Sequence, residues 1–136
     1  MFRFSGAFSR GDIAAVDHAC KALLAAEGGT HFVFDFTAVE TVAMPDEAIA
    51  KRGKQPQLNA GYQRVVVAPQ AEIFELYRLF AANQVQVGAE SPTVVKTLRQ
   101  ALIHLGVGRP VFRRFAVEDR VVRLIRKRAR GRAVSR

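Results

Sequence analysis

His31–Asp46 reads HFVFDFTAVETVAMPD, and it decides the fold. Phe32, Val33, Phe34 and Phe36 make a near-continuous apolar run, the mark of a strand covered on both faces. Asp35 closes that run, and residues 37–44 read as a short exposed loop. Pro45 then stands at a first helical position, followed by Asp46 and Glu47. Proline loses no hydrogen bond there, and carboxylates suit the positive end of the helix dipole. A buried strand, a loop and a helix start in this order predict one unit of an open α/β sheet. Such sheets place their sites at the carboxyl ends of the strands.

The same grammar extends in both directions. Phe2, Phe4 and Gly6 alternate with Arg3 and Ser5, which predicts a first strand. Ser9 and Asp12 form a capping-box-like pair ahead of a helix marked by Ile13, Val16, Ala19, Cys20, Leu23 and Leu24, closed by Gly28-Gly29. The helix opened by Pro45 is short, because Gly53 interrupts it, and 55–61 reads as loop. Arg64–Ala68 is the third strand. Ile73, Leu76, Tyr77 and Phe80 mark a helix closed near Asn83, and Val85–Gly88 reads as a brief fourth strand. Ser91-Pro92 is read as opening a last helix, with Val94, Val95, Leu98, Leu102 and Leu105 inward and Gly106 as its stop.

This order predicts an α/β domain: a four-stranded, mostly parallel sheet with alternating helices joined by right-handed crossovers. The expected domain is 1–107. Residues 108–136 form a basic extension, with Val117–Arg130 expected as an amphipathic helix.

Charge divides the chain at the same place. Ten Lys/Arg and ten Asp/Glu balance up to residue 107, whereas eleven Lys/Arg face only Glu118 and Asp119 beyond it. The whole formal excess of +9 therefore belongs to the extension. The globular part offers no nucleic-acid face. One cysteine rules out an internal disulfide, so the cytoplasm is the default compartment. No apolar run approaches the ~20 residues of a membrane span.

Three segments resemble the STAS domain, shared by anti-sigma-factor antagonists and the cytoplasmic parts of sulfate transporters, and its small STAS-like relatives. They are Phe2–Phe8 (FRFSGAF), Phe32–Val42 (FVFDFTAVETV) and Tyr62–Ala68 (YQRVVVA). The resemblance implies a regulatory, protein-binding role. In phospho-regulated members an Asp-Ser-Ser/Thr-Gly segment opens the second helix; here it falls on Ala43-Met44-Pro45-Asp46. Met44 has no hydroxyl, so the usual phospho-switch cannot operate at that position. Family members commonly carry a further antiparallel strand at the start. Without it the sheet edge is open, which invites pairing with a second copy.

Asp35 reads first as an acceptor for backbone N–H groups of the following loop, and second as a ligand or catalytic carboxylate. His18, His31 and His104 are scattered, and no pair has metal-ligand spacing. Cys20 lacks an activating neighbour, and phosphate-cradling glycine motifs are missing. The expected function is a non-enzymatic regulatory or protein-interaction module with no cofactor or metal. Its partner surface would be Thr37, Glu40, Thr41, Met44, Asp46, Glu47 and Lys51. The expected partner is a kinase-like anti-sigma protein or another signalling protein. The alternative is an anionic-surface binder, for nucleic acid or acidic membrane, using Arg120, Arg123, Arg126, Lys127 and Arg130.

Overall fold

A computed structural model describes residues 1–117 and 120–126, with side chains described as far as residue 110. Its elements are β1 (Phe2–Phe8), α1 (Arg10–Glu27), β2 (Phe32–Val42), α2 (Asp46–Gly53), β3 (Arg64–Val67), α3 (Ala71–Gln86), β4 (Thr93–Val95), α4 (Leu98–His104), β5 (Val111–Val117) and β6 (Arg120–Arg126). The first four strands form one sheet in the order β1-β2-β3-β4, and every neighbouring pair is parallel. Four parallel strands alternating with four helices is the α/β architecture expected from the sequence. No helix among the described residues is long and apolar enough to cross a membrane.

Alternation along the strands sorts the core into two layers. Phe2, Phe4, Phe8, Phe32, Phe36 and Val66 face α1, α2 and α3, meeting Cys20, Leu23, Ile49, Ile73, Leu76 and Phe80. Val33, Val65 and Val67 face the other way and pack with Met1, Ala101 and the half-buried Leu98 and Leu105 around α4. Three consecutive crossovers over one face, between adjacent strands, all have the same hand, as the twist of parallel sheets requires.

The aromatic side chains of the first layer form a chain. Phe4 stacks on Phe36 with ring centroids 4.5 Å apart, and Phe8 meets Phe36 edge-on at 5.0 Å. Phe36 continues to Tyr77 at 5.0 Å, and Tyr77 to Phe80 at 5.7 Å. Offset and edge-to-face geometry of this kind adds about 1 kcal/mol per pair beyond burial.

Several boundaries differ from the sequence reading. β2 does not stop at Asp35; it runs on to Val42, so Thr37, Glu40 and Thr41 lie on a strand rather than in a loop. The extension pairs with β1, whose partner residues run out to Phe8↔Val42, while β3 pairs only Phe32–Asp35. Beyond Asp35 the β3 side of β2 is bare of strand. Gln70 fills that gap, its amide donating to the carbonyls of Phe36 at 2.8 Å and Val39 at 2.9 Å. Gly6, at φ 68, sits at a register shift in β1, a backbone turn that a residue without Cβ accepts freely.

The fourth strand is Thr93–Val95, not Val85–Gly88. Buried Asn83 and Gln84 keep α3 intact through Gln86, so Asn83 does not end it. Asn83 instead donates to the Leu79 carbonyl one turn back at 3.2 Å. The final helix starts at Leu98 and not after Pro92, because Thr97 caps it: the Thr97 hydroxyl accepts from Gln100 N–H at 3.1 Å, and Gln100 Oε1 accepts from Thr97 N–H at 3.1 Å. Val94 and Val95 therefore belong to a strand, as their β-branched side chains prefer.

The expected C-terminal helix is also corrected over its described part. Val111–Val117 and Arg120–Arg126 are antiparallel strands, from Val111↔Arg126 to Val117↔Arg120. VFRRFAV and VVRLI are rich in β-branched and aromatic residues, and each strand completes the other's ladder. The single helical face expected to collect the basic residues does not form through Arg120, Arg123 and Arg126. Lys127 and Arg130 lie outside the described residues.

Candidate functional site

The expected partner surface divides in two. Thr37, Glu40, Thr41, Asp46, Glu47 and Lys51 are exposed. Met44, the residue the reading centred on, is only 7% exposed and belongs to the core with Phe8, Val39 and Ile49. Met44 therefore offers no contact surface. The chain turns it inward between the end of β2 and the start of α2, where an apolar thioether fills space that a hydroxyl would leave polar. Thr37 already has a partner: its N–H and hydroxyl both donate to Asp35 Oδ1, at 3.0 and 2.6 Å. Asp35 Oδ2 accepts from Arg3 Nε at 3.2 Å, and the residue is 2% exposed. Its carboxylate is thus an internal acceptor on the α4 face of the sheet.

What the structure brings together lies under the helices. A cavity opens between the sheet and α1, α2 and α3, floored by Phe4, Phe8, Phe32, Phe34 and Val66, with Ile13, Val16, Ile49 and Phe80 along its sides. Its cavity volume is about 80 Å³, so it is a narrow slot and not a chamber. The slot exists because the short α2 stops at Gly53. A Cβ on Gly53 would come within 2.8 Å of Asn83 Cβ, so the end of α2 presses directly on α3. The residues after α2 then leave a gap beside β3, with Pro56, Gln57, Leu58 and Asn59 forming its rim.

A few polar groups converge on this apolar space. Asp17 of α1 and Arg52 of α2 form an ion pair at 2.7 Å across the helix gap. Arg64 enters from the first residue of β3. Its guanidinium carbon lies 5.9 Å from the centroid of the Phe80 ring. Nη1 of Arg64 donates to Gln84 Oε1 at 2.9 Å, and Nη2 donates to the Glu90 carbonyl. Gln84 is 1% exposed and spends its own amide N–H groups on the carbonyls of Gly53 and Gln55. One side chain thus ties α3, the end of α2 and Arg64 together.

Electrostatics follow from this crowding. Burial, reinforced by the charge of Arg52, lowers the Arg64 pKa, and Glu90 opposes the shift. The Cys20 thiol is pushed up to about 12 by burial and by the charge of Asp17, against smaller opposing effects of Arg52 and the N-terminal amine. The Tyr77 phenol is raised by burial, with Arg52 opposing and Asp17 adding. At neutral pH the slot therefore holds two guanidiniums and one carboxylate beside a protonated thiol and a protonated phenol.

Outside the slot, a shallow cleft between α1 and α2 shares Ile13, Asp17, Arg52, Pro56 and Leu58 with it and adds Arg10, Lys21, Glu47 and Lys51. This cleft is the vestibule of the slot, and Glu47 and Lys51 of the expected partner surface stand on its wall. Among the described residues, no group of three His, Cys, Asp or Glu is placed to hold a metal ion.

In the sequence Lys51, Arg52 and Lys54 read as a small basic cluster with Arg64 and Arg78 near it, and nothing local marks the slot. Its lining comes from six elements whose apolar residues each read as ordinary core. Comparison with protein-family models, with curated proteins and with solved structures finds no match for this chain.

Proposed function

We propose that this chain is a non-enzymatic regulatory module that holds a small, largely apolar molecule between its sheet and α1–α3. The observation that carries this reading is the aromatic slot with its guanidinium pair. Ligand sites are characteristically concave, mostly apolar, and furnished with a few convergent polar groups. A well-packed core of this size has no need of such a space. In the slot Cys20 and Tyr77 are both held protonated and Asp17 is taken up in its ion pair with Arg52, which supports binding over catalysis. The resemblance to STAS domains fits a module that passes its state to a protein partner. The exposed side chains of α2, Asp46, Glu47 and Lys51, are the surface we assign to that partner. Occupancy of the slot and the position of α2 are linked through Ile49 and Arg52, which line it from that helix.

Phenylnaphthylamine, a neutral fluorophore that brightens in apolar surroundings, tests the reading. It is expected to bind saturably to the wild-type chain and to lose that binding in Val16→Phe, which fills the slot. Absence of saturable binding to a folded wild-type protein would overturn it.

A second reading rests on the charge concentrated beyond residue 107, where eleven Lys/Arg face two carboxylates. It assigns the extension to an anionic surface. Such binding falls steeply between low and moderate salt, and replacing Arg120, Arg123 and Arg126 by Gln reduces the slope.

A further inference from the structure

The charge balance of the slot identifies the class of molecule it takes, an inference that rests on the ligand-binding reading above. Among the described residues two guanidiniums reach into the slot, and a single carboxylate, Asp17, answers them there. Arg64 spends its hydrogen bonds on a neutral amide oxygen and a backbone carbonyl, neither of which cancels its charge. Glu90 lies close enough to favour that charge but does not line the slot. The charge of Arg52 lies near enough to disfavour that of Arg64. Like charges kept together in a half-buried apolar wall are costly unless an anion joins them. The approach carries the same sign: among the described residues of the vestibule, Arg10, Lys21, Lys51 and Arg52 face only Asp17 and Glu47.

We propose that the slot binds a single-chain amphiphile with a carboxylate head, the carboxylate lying between Arg52 and Arg64 and the hydrocarbon chain running over Phe4, Phe8 and Val66. Two positive charges and one negative leave a local excess of one, which a monoanion neutralises. A phosphate monoester, near two negative charges at neutral pH, overshoots it. The narrowness of the slot suits a single unbranched chain, and planar guanidinium suits a carboxylate in fork geometry.

Calorimetric titration with four ten-carbon probes below their micelle concentrations tests this: decanoate, decyl phosphate, decanol and decylammonium. Decanoate is expected to bind about tenfold tighter than decanol and decyl phosphate, with decylammonium weakest, in line with a charge-assisted hydrogen-bond pair. In Arg64→Gln the preference for decanoate over decanol is expected to vanish while decanol affinity stays within about twofold, which shows that the slot is still formed. Arg52→Gln provides the same test from α2. Equal affinity for decanoate and decanol in the wild type overturns the head-group assignment and leaves the slot reading standing. Tighter binding of decyl phosphate overturns the monoanion assignment. Failure of all four probes, together with failure of phenylnaphthylamine, overturns both.

Discussion

Arg64 is held in place by Gln84: the guanidinium donates to the amide oxygen at 2.9 Å, while the same amide donates to the carbonyls of Gly53 and Gln55. A glutamine buried to 1% exposure is costly unless every polar atom is used, and here both ends are. Gln84 thereby fixes the orientation of a slot residue from a helix that runs behind it. Gln84→Leu keeps the volume and removes the bonds, stranding two backbone carbonyls and part of a guanidinium. It is expected to cost about 2 kcal/mol in urea unfolding. In the same variant the preference for a carboxylate probe is expected to weaken, since Arg64 loses its anchor.

Met44 is a core residue, and its substitutions are expected to behave accordingly. Met44→Ala removes buried thioether packing among Phe8, Val39 and Ile49 and is expected to destabilise by about 3 kcal/mol, read from the denaturation midpoint. Unchanged stability in that variant would place the side chain at the surface after all.

Gly53→Ala tests the contact between α2 and α3. The added methyl would meet Asn83 Cβ at 2.8 Å and the Phe80 carbonyl at 3.1 Å, and neither is the free end of a flexible side chain. A helix interior normally favours Ala over Gly by nearly 1 kcal/mol, so a steric penalty must exceed that to show. The expected outcome is a net loss of about 1 kcal/mol or more, the sign being the decisive part.

Asp35 is predicted to be structural. Asp35→Ala leaves the Thr37 N–H and hydroxyl without their acceptor and Arg3 without its partner. A loss of about 2 kcal/mol is expected. Binding of phenylnaphthylamine in the folded fraction should be unaffected, because Asp35 lies on the opposite face of the sheet from the slot.

The buried thiol gives a pH prediction with a definite sign. Cys20 ionises near 9.0 when exposed and near 12 in the folded chain, so between those values the unfolded state releases a proton that the native state keeps. The unfolded state then binds fewer protons, and stability falls as pH rises through that window. Tyr77 is shifted in the same direction and adds to the loss at the alkaline end. At pH 8 the native thiolate fraction is about a thousandfold below that of an exposed thiol. Labelling with a disulfide reagent should therefore follow opening of the structure, and replacement by Ala should flatten the stability profile between pH 9 and 12.

How much of this was legible depends on the range of the interaction that decides each feature. Pro45 with Asp46 and Glu47, and Ser9 with Asp12, are local signals, and the helices they open are present. Arg64–Val67 was readable because four residues carry the whole strand. Thr97 and Gln100 also form a local capping box, but the apolar spacing of Val94, Val95 and Leu98 imitated a helix and hid it. The extent of β2 was not readable, since Thr37, Glu40 and Thr41 look like loop until β1 is seen to pair with them. Gln70 and Gln84 carry no local signal for the same reason: their acceptors are carbonyls up to 34 residues away. The slot lay furthest from view, because it is made by what six elements fail to fill.

The sequential strand order has one more consequence. Every strand lies beside the one synthesised just before it, so the sheet assembles by accretion, each β–α unit docking on a finished neighbour without threading back through the stack. Each strand partner is one β–α unit away, as a parallel pair with a helical crossover requires. The order also leaves β4 as a growing edge, where a further unit could be appended in evolution or by design without disturbing the three strands already laid down.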